Sequence, residues 1–263
     1  MINKIGSFLS LLFYRARKKI QIKKFINSNL NKKEEYYVEQ LNKNGFVVIK
    51  NFITPKNCKK IQKTIDNTIK NYSDKLCVDK IKSDKRIFGA ESLDNEIKKF
   101  FSNKFIRRIG ENYCKYKIKN MTTMANRVNY KYKNEGSGAG WHRDSYFNQF
   151  KSIVYLNDVN INNGPFEILI DSEKFSNSLK VAFMLNKNCT DSRFTNKDIK
   201  KISFMKRVKL PAKAGTLIMA NVSSIHRGSP LKESKRYALM NYYFPKDIIG
   251  QYKTRPEFEQ SFS

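Results

Sequence analysis

The hydrophobic pattern of this chain changes period near Met121, and that change constrains the fold more than any other feature. Before it, apolar residues recur at helical spacing. One helix runs from Glu34 through Leu41 and stops at Asn44-Gly45, a C-cap signal. The β-branched stretch from Gly45 to Phe52 then reads as a strand. Ile61, Ile65 and Ile69 follow Thr54-Pro55, where threonine caps a helix and proline fits its first turn. Ile97, Phe101, Phe105 and Ile109 mark another amphipathic helix over Asn95 to Tyr113. Beyond Met121 the runs become short and β-rich: Thr122 to Tyr132, Ser152 to Val159, Phe166 to Ile170, Lys180 to Leu185, Arg207 to Leu210, Thr216 to Ala220 and Tyr237 to Phe244. Gly, Pro, Asn and Asp clusters separate them. A helical preface followed by short strands predicts a mainly β protein with flanking helices, a double-sheet sandwich or jelly roll. The polar stretch from Asn186 to Ile202 is long enough to form a lid or a substrate-facing insert.

A chain of 263 residues with 40% hydrophobic residues has enough apolar material for one well-buried domain. We place that domain at residues 34–250, between a basic N-terminal segment, 1–33, and a C-terminal tail, 251–263. Ile5 to Tyr14 is mostly apolar and is followed by Arg15, Arg17, Lys18, Lys19, Lys23 and Lys24, with no acid among them. So short a run cannot span a bilayer, and a basic cluster directly after it argues against a signal peptide. Two readings stay open for residues 1–24. One is an amphipathic helix on an anionic membrane surface, with Phe8, Leu12 and Phe13 inserted. The other is a helix packed on the domain or on a partner chain.

The formal net charge of +29 favours adhesion to polyanions, but the lysines are spread through every segment, as on an ordinary solvated surface. No interleaving of aromatic and basic residues marks a nucleic-acid module. Cys58, Cys77, Cys114 and Cys189 lie far apart with no CxxC, which suggests reduced thiols in a cytoplasmic protein and neither a zinc knuckle nor a redox pair.

The chain has two histidines, His142 and His226. In Gly140-Trp-His-Arg-Asp144, His142 and Asp144 are two apart, so on an extended backbone both side chains leave one face and reach one ion. His226, after the strand Thr216 to Ala220, offers a third ligand. Two imidazoles and one carboxylate leave metal positions open, as Fe(II) oxygenases require, whereas a structural zinc site is closed. The bland alternative is a pair of ordinary core or surface histidines. Arg236 opens the apolar strand Tyr237 to Phe244; burying it is costly unless it meets an anion, either an internal acid or the far carboxylate of 2-oxoglutarate.

The motifs Asn44-Gly-Phe-Val-Val-Ile-Lys-Asn-Phe-Ile53, Trp141-His-Arg-Asp144, Tyr155-Leu-Asn-Asp-Val159, Asn163-Gly-Pro-Phe166, Ala214-Gly-Thr-Leu217 and His226-Arg-Gly-Ser-Pro230, with Arg236, occur in order. Over about Tyr36 to Phe244 the sequence resembles the phytanoyl-CoA dioxygenase-like branch of the Fe(II)/2-oxoglutarate oxygenases. The resemblance implies a double-stranded β-helix, iron held by His142, Asp144 and His226, Arg236 on the distal carboxylate of 2-oxoglutarate, and Asn129 helping to hold that cosubstrate. Many relatives carry Gly-Ser-His after the Gly-Pro strand. This chain has Asp171-Ser-Glu-Lys174 there, in a segment expected to shape the substrate mouth.

Two function classes follow. The first is a dioxygenase acting on a small-molecule, sugar or lipid-linked metabolite, with Trp141, Tyr146 and Phe147 as candidate pocket residues. The retained Asp144 argues against halogenation, which needs that ligand replaced by a small residue. The second is a catalytically silent jelly roll that holds an anionic membrane or nucleic acid through its basic surface.

Overall fold

The computed structural model describes residues 2–25, 29–146 and 148–245. In chain order the helices and strands are α1 (Ile2–Lys24), α2 (Lys32–Asn44), β1 (Phe46–Ile49), α3 (Pro55–Asn71), β2 (Cys77–Val78), β3 (Asp84–Phe88), α4 (Asn95–Phe101) and α5 (Lys104–Cys114). They continue as β4 (Asn120–Asn129), β5 (Trp141–His142), β6 (Phe150–Tyr155), β7 (Phe166–Leu169), α6 (Phe175–Leu185), β8 (Arg193–Phe194), α7 (Asn196–Lys201), β9 (Arg207–Leu210), β10 (Leu217–Asn221), β11 (His226–Gly228) and β12 (Lys235–Phe244).

The helical preface forms where the caps predict it. Thr54 accepts from the Asn57 amide at the start of α3, and Asn31 with Glu34 makes a reciprocal capping box on α2. The helix expected over Asn95 to Tyr113 is two helices. Asn103 interrupts it by capping α5, accepting from the Ile106 amide at 3.1 Å, and a local side-chain bond of that kind competes with continuation of the helix.

Two antiparallel sheets follow. The larger has the order β1-β10-β6-β12-β4-β3-β2 and the smaller β8-β5-β11-β7-β9. This is the jelly roll expected from the sequence. Period-two alternation divides each long strand of the larger sheet between two cores. In β12, Tyr237 and Leu239 join Ile61, Ile65, Ile97, Ile106 and Ile109 under the helices. Ala238 and Met240 point the other way, joining Met124, Ile153, Tyr155, Phe166 and Ile168 between the sheets. Burial on both faces explains why these strands read as near-continuous apolar runs.

The expected strand over Lys180 to Leu185 lies in α6 instead. Its Leu, Ala, Phe and Met suit a helix, and burial at Ser178, Val181 and Ala182 has helical spacing; a short apolar run alone does not distinguish the two periods. The stretch from Asn186 to Ile202 is also more regular than its composition suggests. It contains β8, which pairs with β5 next to His142, and α7, which opens on a capping box of Thr195 and Asp198. Together with α6, it covers a third apolar cluster containing Trp141, Leu169, Phe194, Ile199 and Ile225.

α1 lies against this same region. The Ser7 hydroxyl accepts from the Cys189 amide at 3.1 Å, Tyr14 stacks on Tyr146 with ring centres 6.3 Å apart, and the Arg15 guanidinium sits 4.4 Å over the Phe175 ring. One side of α1 is thus packed on the domain, as the second of the two readings expects.

Candidate metal centre

The site starts from a register. His226 on β11 is the direct antiparallel partner of His142 on β5, which brings the two rings to 4.4 Å between centres. Asp144 lies just beyond β5, its amide donating to the Val222 carbonyl at 3.0 Å. His142, Asp144 and His226 each present one ligand atom, and these atoms all fall within 4.8 Å of one another.

Hydrogen bonds orient the rings. Nδ1 of His142 is 2.9 Å from the Gly140 carbonyl, and Nδ1 of His226 is 2.9 Å from that of Ser224. A carbonyl only accepts, so each Nδ1 carries the proton and each Nε2 is left as a lone-pair donor. The Nε2 atoms lie 3.3 Å and 3.9 Å from Asp144 Oδ1. Burial, reinforced by the neighbouring His142 ring, pushes His226 down to about 3, so it is neutral and ready to ligate at physiological pH. Burial alone raises the Asp144 carboxyl, but the Lys151 ammonium and the two imidazoles outweigh it and hold the group well below the usual carboxylate range.

Lys151 was not singled out from the sequence. Its ammonium pairs with Asp144 Oδ2 and lies 4.1 Å from the centre of the Tyr242 ring. Holding Oδ2 leaves Oδ1 for the shared focus of the imidazoles. The signal was a lysine in the apolar run Phe150 to Tyr155, at the position that alternation turns inward with Ile153 and Tyr155.

Gly138 supports the ring of His142 from the other side. Its φ is +90°, and a Cβ there would lie 2.3 Å from His142 Cε1. We expect Gly138→Ala to displace the imidazole and weaken Fe(II) binding by ~10–100-fold, the cost typical of disturbing a ligand's support. A ferrous titration of the folded variant checks this; unchanged affinity would mean the ring is held elsewhere.

The triad opens into a cavity of about 290 Å³ whose lining includes Arg86, Phe88, Met124, Tyr155 and Arg236. Arg236 is buried and donates from Nη1 to the Gly164 carbonyl, while its Nε has no hydrogen-bond partner among the described residues. Burial pushes its guanidinium below its usual value, which Tyr155 and Asp84 partly counter. Asp84 is committed elsewhere, to Arg86, Asn126 and Ser137. Arg236 is thus a buried cation beside a cavity, with no carboxylate bonded to it among the described residues, and burying such a group without an anion is costly.

The structure does not bring Asn129 to this cavity. It ends β4 opposite Lys235, on the strand face away from the cavity residue Met124. Asn126 is the inward asparagine of that strand, fully buried and donating to Asp84 at 2.9 Å. Trp141 packs in the third cluster, 4.3 Å under the Arg227 guanidinium, and Tyr146 faces α1; neither lines the cavity. Phe147 lies outside the described residues. The segment Asp171-Ser-Glu-Lys174 also serves differently from the expectation that it shapes the mouth. Ser172 accepts from the Ile225 amide at 2.7 Å and Glu173 from Ser224 at 2.6 Å, so it braces the turn that delivers His226.

Two antiparallel sheets enclosing a His–Asp–His triad and a buried guanidinium define a jelly-roll protein with a candidate mononuclear metal centre. The chain belongs to the phytanoyl-CoA dioxygenase family, whose model matches residues 41–236. Family membership makes it an enzyme of the dioxygenase type. No curated protein matches its sequence. Solved structures similar to it include EctD from S. alaskensis with bound Fe, at 12% identity and a TM-score of 0.61, covering 84% of this chain and 80% of that one. The non-haem alpha-ketoglutarate-dependent epimerase SnoN from nogalamycin biosynthesis has 12% identity and a TM-score of 0.59, covering 81% and 83%. HygX from Streptomyces hygroscopicus, with nickel and 2-oxoglutarate bound, has 14% identity and a TM-score of 0.55, covering 83% and 88%. At these identities the likeness is one of fold.

Proposed function

We propose that the protein is an Fe(II)- and 2-oxoglutarate-dependent dioxygenase that hydroxylates a small-molecule, sugar or lipid-linked metabolite and releases succinate and CO₂. The observation that carries this reading is the convergence of His142, Asp144 and His226 in the cavity where Arg236 is buried with no bonded carboxylate. The donor set fits ferrous iron, because two neutral imidazoles and one carboxylate leave coordination positions for a cosubstrate and O₂. Family membership supports the same cofactors, as do the bound Fe of EctD and the bound 2-oxoglutarate of HygX, two proteins of similar fold.

Iron with 2-oxoglutarate supplies the oxidising chemistry. The chain's own residues supply position and exclusion. The Gly140 and Ser224 carbonyls fix both histidine tautomers. Arg236 is placed to seat the distal carboxylate of 2-oxoglutarate, a geometry for which a planar guanidinium is suited. Beside it Tyr155 is pushed by burial up to about 12 and stays protonated, donating to Leu210 at 3.1 Å. Phe88, Met124, Ile153 and Met240 keep the cavity wall apolar and limit water around the reacting centre.

The test is an anaerobic titration with Fe(II) and 2-oxoglutarate, followed by measurement of succinate release. Arg236→Ala should raise the 2-oxoglutarate concentration required by about 100-fold, as expected for an ion pair worth a few kcal/mol, and leave Fe(II) binding in place. An unchanged 2-oxoglutarate requirement would overturn Arg236 as the anchor, and absence of 2-oxoglutarate binding to the ferrous protein would overturn the reading itself.

A further inference from the structure

α1 docks on the domain with one side and carries a row of apolar residues on the other. At about 100° per residue, Ser7, Leu11, Tyr14 and Lys18 fall on one side, the side that meets the domain: Leu11 is buried, Ser7 bonds Cys189 and Tyr14 stacks on Tyr146. Ile5, Leu9, Leu12, Ala16 and Ile20 fall on the opposite side, flanked by Phe8 and Phe13. These residues are exposed, Leu9 by 58% and Phe13 by 62%. A globular protein has no folding reason to array large apolar side chains along the outer face of a helix it has already docked.

α6, which α1 meets at Asn186, carries exposed apolar residues of its own. Asn186, the C-cap of α6, accepts from Lys4, and one turn away Phe183 is 89% exposed with Met184 exposed beside it. Charge indicates the occupant. Residues 1–24 contain seven basic residues and no acid; Lys19 is exposed beside the outward stripe, and Lys4 and Arg15 are exposed nearer the domain, where they meet Asn186 and Phe175. A second copy of the chain would bring the same basic helix and another +29 against it, so self-association on this face is opposed by repulsion. An anionic bilayer satisfies both features, apolar side chains entering the headgroup boundary and cations meeting phosphates. No helix among the described residues is long and apolar enough to cross a membrane, so the contact is one of lying on the surface.

We propose that α1, held to the domain by its inner face, docks the protein on an anionic lipid bilayer through Ile5, Phe8, Leu9, Leu12, Phe13 and Ile20. The segment that bonds α1 at Asn186 and Cys189 continues to Ser192 and Arg193, which line the cavity. The bilayer contact itself stands independently of the oxygenase reading.

The test is co-sedimentation of the full chain with phosphatidylcholine vesicles, with and without phosphatidylglycerol, and sizing in solution without lipid. The wild type should pellet with the anionic vesicles, lose binding as salt rises, and remain in the supernatant with the neutral ones. The triple variant Phe8→Ser, Leu9→Ser, Phe13→Ser should bind at least ~100-fold more weakly while unfolding at the wild-type temperature, since it alters only exposed side chains. Three results would each overturn the proposal. One is wild type that stays in the supernatant with anionic vesicles, and another is triple-variant binding equal to wild type, which would assign adhesion to charge elsewhere. The third is a lipid-free dimer that the triple variant converts to monomer, which would make the face an interface between copies.

Discussion

Asp144→Ala is expected to abolish both Fe(II) binding and succinate formation, a larger loss than the removal of one ligand among three would suggest. The carboxylate is the only anionic ligand of the triad, and Lys151 is paired to it from within the same cavity wall. Taking the carboxylate away leaves a buried ammonium beside two imidazoles, so the centre changes from electrically balanced to cationic before any metal arrives. A dication is then repelled from the site meant to hold it. The unpaired ammonium also carries a desolvation cost of about 3–5 kcal/mol, which appears as lost fold stability. The double variant Asp144→Ala with Lys151→Met separates the two effects: stability should recover while metal binding and turnover stay absent. The measurements are an anaerobic ferrous titration, succinate by chromatography and thermal unfolding of each variant. Retained turnover in Asp144→Ala would remove this residue from the metal centre.

How much of this centre was readable in advance depends on how local each signal was. His142, Asp144 and His226 were legible because a chain with two histidines offers few alternatives, and because an i, i+2 pair on extended backbone needs no tertiary knowledge to be placed on one face. Arg236 was legible from its position at the head of an apolar strand. Lys151 fell one residue outside the strand read from Ser152, so its inward alternation was missed. Asp84 and Arg86 were missed for a different reason. The stretch Ser83-Asp-Lys-Arg-Ile-Phe88 is charged and looks like a surface turn, yet it is strand β3, in which Asp84 is fully buried and paired with Arg86 at 2.6 Å. Burial of a charged pair is decided by what surrounds it, which no local pattern encodes.

Asn129 shows the same limit from the other side. Both Asn126 and Asn129 lie on β4, and only the register against β12, Ala238 opposite Asn126 and Lys235 opposite Asn129, decides which one faces inward. A shift of one residue reverses the assignment of every side chain on a strand. The elements were read well where caps and long runs were present, as in α3 and β12, and poorly where the strand was two or three residues long. β5, β8 and β11 carry or support the metal centre, yet they are too short to show a period.

Glu167→Ala is expected to destabilise the protein by about 3–5 kcal/mol, which for a domain of this size is a fall in unfolding temperature of roughly 6–20 °C. Glu167 is fully buried on β7, directly opposite Arg227 of β11. Its two oxygens accept from Arg207, from Arg227 at 2.8 Å and from the Ser229 hydroxyl at 2.9 Å. Arg227 in turn lies over Trp141, the neighbour of His142, so one carboxylate ties together the strands bearing both histidines. A buried ion pair adds little net stability compared with apolar packing, but removing one partner strands the other, and here the stranded group is Arg227. Burial raises the Glu167 carboxyl, and the Arg207 and Arg227 bonds outweigh it, leaving it below its usual range. The sign of the pH effect follows: the ionised carboxylate contributes stability above the unfolded glutamate value near ~4.3, and that contribution is lost as pH falls through the lower folded value. Glu167→Gln keeps the side chain's shape and removes only its charge, so its deficit relative to wild type should be largest at neutral pH and shrink below about pH 4.3. Circular-dichroism melts of wild type and Glu167→Gln across that interval read this directly. A deficit that stays constant with pH would mean that the glutamine disturbs packing, and that the charge of Glu167 does not hold β7 to β11.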